Sequence, residues 1–467
     1  MTLPSSPLLA TPGKSPARPS VRAHRRVILF LLACIACILL WFLWIGCRIQ
    51  DVFALAGTQG WLSPSCPSYF SSTIMRIWKA CDFIVAILLS ILSLPQKATA
   101  ATSANLPSYP LAVKSPYLST WVPGDQLSNA ATSTPQFWTG TELTWPILAR
   151  VDGTTYALFG SPSGLTSDIL AAKTVGVSYT SLHTYITLSA KSVNFTLDFF
   201  SPVYPKAEDY ALHSLPYSYL TVTAATSGTD IRKVQVFSAI DYTWTAQGGA
   251  ANLNYTTSGD TGFFWWNNPS AIPFTESSDR ATWGSVLFGA TSSSNTSNGH
   301  SISHECNNAN TVYSAFTSTG KLSGSNRTCS GTYLAAFSQD LGSVTSDGCS
   351  VTFAVGLDRP QLVNYINQTQ TGYYRTQWPT VSEAISYFLG YYSTALSRSL
   401  EFDTLVRSKT EEISSEYADI CEASVRQAFA PVELAVCQYF SAASCKAQTN
   451  LLLRSQRMIR QLPQAHF

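Results

Sequence analysis

Two stretches of this chain carry residue types that could do chemistry at close spacing. His300-Ser301-Ile302-Ser303-His304, followed by Glu305 and Cys306, offers metal-ligand types at helical spacing. Its neighbours are loop formers, Ser292 to Gly299 before and Asn307-Asn308 after, so the sequence predicts an irregular loop and no metal site. Gly160-Ser161-Pro162-Ser163-Gly164 comes near a nucleophile elbow, but Pro162 holds the central place where serine is required, and a loop is expected. Asp152, Asp241 and Asp340 fall in turn or strand-end contexts, where acids cap or bond backbone amides. Any two could form an acid/base pair only if the fold set them roughly 5–10 Å apart. No phosphate-cradling glycine loop and, downstream of residue 100, no Cys-x-x-Cys pair is present, so no cofactor is called for. From residue types alone the catalytic residues stay unknown.

Other motifs concern compartment. Five sequons occur, at Asn194, Asn254, Asn295, Asn326 and Asn367, and five in one region fit a surface-glycosylated eukaryotic protein. Cys306, Cys329 and Cys349 can pair in an oxidising compartment, and spacing does not choose the partners. Upstream, Met75 opens a signal-like segment over residues 75–100. Arg76 and Lys79 are its basic part, Phe83 to Leu94 its apolar core, and Ala98-Thr99-Ala100 its cleavage site. Further upstream, residues 1–26 read as a basic disordered cytoplasmic tail. Residues 27–46 read as a transmembrane segment, the apolar run from Val27 to Ile45 reaching roughly 28 Å as a helix. Either the chain is anchored through 27–46, or translation starts at Met75 and a signal is removed. Both readings place residues 101 onward outside the cytoplasm.

Charged residues make up only 12% of the chain and the net charge is +2, which gives no case for nucleic acid as a partner. The partners expected from the residues are a glycan, plus a membrane if 27–46 is retained. Twelve Trp and twenty-two Tyr suit sheet packing, and exposed members such as Trp138 or Trp265-Trp266 would suit a carbohydrate surface.

The elements that must position these residues are mostly strands. Tyr179 to Leu188, Val193 to Phe200, Ser218 to Ala224, Lys233 to Ile240 and Val351 to Leu357 have strand character. Ser227-Gly228-Thr229-Asp230, Gly248-Gly249 and Ser258-Gly259-Asp260 punctuate them. Val193 to Phe199 alternates strictly, which predicts one buried and one wet face. Residues 107–375 therefore read as a mainly β domain, a large antiparallel sandwich. Residues 380–436 change to helices. Val381 to Ser399 carries a face of Ile385, Phe388, Leu389, Tyr392 and Leu396, and Asp403 to Ala428 carries Leu405, Ile413, Tyr417 and Ile420. Two or three helices do not bury such stripes alone, so they read as the first helices of a truncated helical domain. Residues 437–467 lack Asp and Glu and form a divergent basic tail.

Seven collinear pieces over residues 110–429 carry a family resemblance. They begin with Pro110-Leu-Ala-Val-Lys-Ser-Pro-Tyr-Leu-Ser-Thr-Trp121, Phe137-Trp138-Thr139-Gly140, Arg150 to Tyr156 and Phe200-Ser201-Pro202-Val203. Ser214 to Tyr219, Asp340-Leu341-Gly342-Ser343 and Ser424 to Phe429 complete them. The chain resembles the fungal glutaminase A family. That resemblance implies a β-sandwich followed by an (α/α) barrel like that of six-hairpin glycosidases, and an extracellular enzyme releasing ammonia from glutamine, with a small-molecule amide substrate as its partner. It transfers no catalytic residue, because the barrel loops would follow Phe429, where the likeness ends. The matched pieces read as packing and turn positions. A non-catalytic carbohydrate-binding module, or a glycosidase-like barrel enzyme, is the alternative.

Overall fold

The structure, a computed structural model, describes residues 106–160, 168–247, 251–291, 302–324 and 328–437. The expected tail, anchor and signal (1–26, 27–46, 75–100), Asn295, Asn326, His300, the Ser161–Gly164 part of the elbow-like loop, Gly248-Gly249 and all of the basic tail after Cys437 lie outside the described residues. Among the described residues no helix is long and apolar enough to cross a membrane.

In chain order the strands are β1 (Ser108–Ser115), β2 (Leu118–Pro123), β3 (Gln136–Phe137), β4 (Ile147–Val151), β5 (Thr154–Phe159), β6 (Ile169–Ala171), β7 (Lys173–Tyr179), β8 (His183–Ala190), β9 (Val193–Phe200), β10 (Tyr217–Thr226), β11 (Arg232–Ile240) and β12 (Asn252–Ser258). There follow β13 (Thr261–Asn267), β14 (Glu276–Ser277), β15 (Arg280–Ala281), β16 (Ser285–Thr291), β17 (Ile302–Asn307), β18 (Cys329–Ser330), β19 (Leu334–Val344), β20 (Cys349–Asp358), β21 (Val363–Tyr365), β22 (Gln368–Gly372) and β23 (Ala435–Cys437). The helices are α1 (Tyr210–His213), α2 (Ala309–Thr319), α3 (Val381–Gly390), α4 (Tyr392–Thr410) and α5 (Ser415–Phe429).

A nine-stranded sheet (β18-β12-β13-β16-β20-β10-β9-β8-β7) faces a six-stranded one (β17-β19-β11-β4-β5-β6). Pairing is antiparallel except between β5 and β6. The period of two along each strand decides what lies between the sheets. On β9, Val193, Phe195, Leu197 and Phe199 point inward and are fully buried. Phe337 of the small sheet meets Phe264, Phe288 and Phe353 of the large one, and Trp145 meets Phe199 with ring centres 5.2 Å apart. The mainly β, antiparallel expectation therefore holds. A disulfide between Cys306 of β17 and Cys329 of β18 ties the edge strands of the two sheets, while Cys349 at the start of β20 is a free thiol.

Local chemistry explains the connections. Asp152-Gly153 takes positive φ at both residues, 47° and 87°, the backbone that a two-residue hairpin between β4 and β5 requires. The expected single strand from Tyr179 to Leu188 is two strands. Thr180 Oγ1 accepts from the amides of Leu182 and His183 and turns the chain between β7 and β8. Helix α2 was not expected within the β region. Asn308 caps its start and Gly320, at φ 74°, ends it. Val312, Tyr313 and Phe316 seat it on Phe237 and Ala239, on the outside of the small sheet.

The outer face of the large sheet carries the remaining helices. Thr380 and Glu383 form a capping box at the start of α3. Ile385, Phe388 and Leu389 of that helix are buried against Tyr217, Tyr219, Phe263 and Leu287. Gly289 of β16 makes this fit possible, since a Cβ there would stand 2.7 Å from Ile385 Cδ1. The expected helix from Val381 to Ser399 breaks after Gly390, and the stretch from Asp403 to Ala428 is divided between α4 and α5 by the turn at 411–414. The two apolar rows face differently, the first being buried on the sheet. Leu405, Ile413, Tyr417 and Ile420 are exposed, at 55, 70, 43 and 66%. The face that α4 and α5 turn to the sheet bears Ser399, Asp403, Glu422 and Arg426.

Candidate functional site at the sheet–helix seam

The polar phase of β8 and β9 points outward, under α4 and α5. It brings His183 and Asp198 together, with Nδ1 of the ring 2.7 Å from Asp198 Oδ1. On the other side of the ring, Nε2 lies 2.8 Å from Ser399 Oγ of α4. Serine, histidine and aspartate thus stand in the order used by acyl-transfer triads. The surroundings argue against that chemistry. Ser399 is 3% exposed and His183 0%, and the imidazole is stacked on Phe200 at 4.2 Å. Ser399 Oγ donates to the Leu396 carbonyl at 2.7 Å, so its oxygen serves the ring as an acceptor. A substrate carbonyl would need to come within roughly 3–3.5 Å of that oxygen, and the seam is closed around it.

Arg426 of α5 completes the fastening. Its guanidinium is buried and donates to the carbonyls of Pro110, Phe199 and His183 and to Thr184 Oγ1, at 2.8–3.3 Å. One side chain thereby joins β1, β8 and β9 to the helices. Burial lowers its pKa to about 10, against the pull of Asp403 and Asp198. Burial raises Asp403, opposed by His183, Thr180, Arg426 and Ser181. It also pushes Glu422 up to about 7, although Arg407 donates to that carboxylate at 3.0 Å. A second buried set pins β23. Arg375 holds both oxygens of Asp358, and Arg359 pairs with Glu433 beneath Tyr117 and Trp283. Beside it Lys114 donates to the carbonyls of Pro202 and His213, and burial lowers its pKa to about 7. The cavity between Lys114, Tyr374 and Glu433 is about 10 Å³, room for a water at most.

The residues singled out from the sequence lie elsewhere. Asp152 bonds the Lys233 amide and pairs with Arg232, Asp241 caps the turn at Tyr242–Trp244, and Asp340 accepts from the Gly342 amide. No two of them share a site. His304, Glu305 and Cys306, expected in a loop, form the middle of β17, because Ile302 to Asn307 pairs residue by residue with β19. The His304 ring stacks on Tyr255 at 3.7 Å. Among the described residues no group of three His, Cys, Asp or Glu could hold a metal ion. Asn194 and Asn367 are exposed and Asn254 is half-buried. Trp266 is fully buried, so it cannot be a carbohydrate platform, whereas Trp138 is 57% exposed. His183, Asp198 and Ser399 were missed. The signal available for Asp198 was its place in the polar phase of a strictly alternating strand.

Fold and seam define the class: an antiparallel two-sheet protein with helices fastened across one outer face. Family models match in two places, a domain of unknown function (DUF4964) over residues 85–167 and another (DUF5127) over residues 182–409. A glutaminase A of Aspergillus oryzae is 27% identical over 372 residues, covering 75% of this chain and 52% of that protein. A protein of Arthroderma benhamiae named "Probable glutaminase/05536" is 30% identical over 217 residues, 41% of this chain and 24% of that one. These relatives support the likeness of the chain to the glutaminase A family. It spans about half the length of the Aspergillus relative. A bacterial glucoamylase solved with acarbose aligns at a TM-score of 0.39 with 11% identity, covering 71% of this chain and 42% of the glucoamylase. A kojibiose phosphorylase aligns at 0.34 with 8% identity, covering 70% and 43%. Likeness at those scores carries no argument about fold or function.

Proposed function

We propose that this chain carries the platform of an exported, glutaminase-like amide hydrolase: the sandwich together with the helices fastened across its outer face. The observation that carries the reading is the match to glutaminase A over 75% of the chain. Hydrolysis of L-glutamine to glutamate and ammonia needs an activated water or nucleophile at the amide carbon, an oxyanion donor and an acid for the leaving ammonia. The seam cluster is closed and its donors are committed to backbone carbonyls, so that set is sought in the part of the relatives this chain does not span. The exposed row Leu405, Ile413, Tyr417 and Ile420 supports the same reading, since an apolar helical face of this size suits a neighbouring helix. The domain limits 107–375 and 380–436 follow from it. Export, with the bulk of the chain outside the cytoplasm and membrane attachment through 27–46 if the upstream start is used, is supported by the Cys306–Cys329 bridge and by the exposed sequons.

The test is ammonia release from glutamine by the purified chain. The expected result is none above the uncatalysed rate, with activity appearing when the chain is joined to the remaining length of the Aspergillus relative. Turnover by this chain alone would overthrow the platform reading.

A further inference from the structure

On the outer face of the large sheet, α3 covers Phe263 and Leu287, and beyond its last turn, beside the β12–β13 turn, the face opens into a groove. Alternation puts Thr261, Ser350 and Thr352 on that face, because Phe264, Val351 and Phe353 point into the core. The β12–β13 turn and the junction of α3 with α4 wall it in, leaving a groove of about 510 Å³. That volume falls within the roughly 300–1,000 Å³ of small-molecule sites. Hydroxyls make most of the wall, with Ser258, Ser350, Ser386 and Ser393 prominent, and among the described residues no Lys, Arg or His lines it. Asp260 also lines it. In the floor, Thr221 and Thr352 hydroxyls stand 2.9 Å apart beside the Tyr392 hydroxyl. Ser386 Oγ is screened from water in the wall and has no hydrogen-bond partner. A shielded hydroxyl left unsatisfied is costly and is relieved by an incoming group that donates or accepts.

We propose that this groove binds a short segment of neutral saccharide. Each wall hydroxyl donates and accepts, as each sugar hydroxyl does, so the two surfaces can satisfy one another without formal charge. An amino acid such as glutamine would bring a carboxylate to a wall whose described residues include no cation. The groove is therefore distinct from any amide-hydrolysing site and does not depend on one.

The experiment is calorimetric titration of the full chain, held in a polyoxyethylene detergent so that no sugar headgroup competes. The probes are maltotriose, cellotriose, chitotriose and, as the anionic control, trigalacturonate. At least one neutral trisaccharide should bind with a Kd of about 1 mM or tighter, and trigalacturonate about tenfold more weakly. Ser386→Ala should weaken the neutral sugar by about threefold, the loss of one neutral hydrogen bond. Ser393→Trp, which fills the groove from a helix surface, should abolish binding with the melting temperature unchanged. If Ser393→Trp fails to fold, Asp260→Asn at the exposed turn replaces it and should narrow the gap between neutral and anionic sugars. No neutral trisaccharide bound at about 10 mM, preference for the anionic sugar, or equal affinity in the parent and all folded variants would each overturn the proposal.

Discussion

The two ends of the large sheet's outer face have the same backbone and opposite chemistry. At the β7–β10 end, α4 and α5 close over His183, Asp198, Ser399, Asp403 and Arg426, and every donor of Arg426 that reaches the backbone is used. At the β12–β16 end, neutral hydroxyls face a groove and Ser386 is unsatisfied. The comparison teaches that buried charge here fastens layers, whereas the open polar surface is made mostly of hydroxyls, which need no counter-charge. A buried ion removed from its partners costs several kcal/mol, and a surface hydroxyl costs little to keep or lose.

The contrast breaks most readily at Arg426. Arg426→Met fills similar space but leaves three carbonyls and the Thr184 hydroxyl without their donor and removes the positive charge near Asp403 and Asp198, and urea unfolding should show a loss of about 3–5 kcal/mol. A loss under about 1 kcal/mol would mean that packing, not charge, holds the closed end. Between the two ends, α3 is held by packing. Ile385→Ala, at a site closed down on Gly289, should lose about 2–5 kcal/mol in the same assay.

A pH series sharpens the picture of the closed end. Because burial raises Glu422 to about 7, the folded state binds its proton more tightly than the unfolded chain, whose glutamates titrate near ~4.3. Its contribution is complete below that lower value, falls as pH rises toward about 7, and is flat above. Glu422→Gln should therefore show a smaller drop in urea midpoint between pH ~4.5 and ~7.5 than the parent. His213, lowered to about 3 by burial, contributes the opposite slope on the acid side in both proteins and cancels in the comparison. Equal slopes would show that Arg407 keeps Glu422 ionised throughout.

The smallest effects belong to exposed and open positions. Leu405→Ser and Ile420→Ser should change stability by no more than about 0.5 kcal/mol, despite their apolar spacing in the sequence. If either cost more than about 2 kcal/mol, α4 and α5 would be packed the other way round.

How far the sequence could be read follows from these elements. Val193 to Phe200 gave its inner face by alternation, yet the same alternation could not say that Asp198 on the other face is covered, because the cover comes from helices some 200 residues later. Asp152-Gly153 was legible as a turn because its φ requirement is local. The apolar rows of α4 and α5 pointed to a buried face that this chain instead exposes. A helical stripe records which face wants an apolar neighbour, and the sheet at this end offered Arg426 a set of carbonyls.

By itself the sequence determined what is local: strand periodicity, hairpin turns, helix caps and the sequons, each set by a few neighbouring residues and their backbone preferences. Only the tertiary structure decided which polar groups meet. His183, Ser399 and Arg426 lie more than two hundred residues apart or on separate helices, and their meeting depends on the orientation in which α4 and α5 settle on the sheet. That orientation is a balance of packing, desolvation and hydrogen bonding over a whole interface, which no short window of residues encodes.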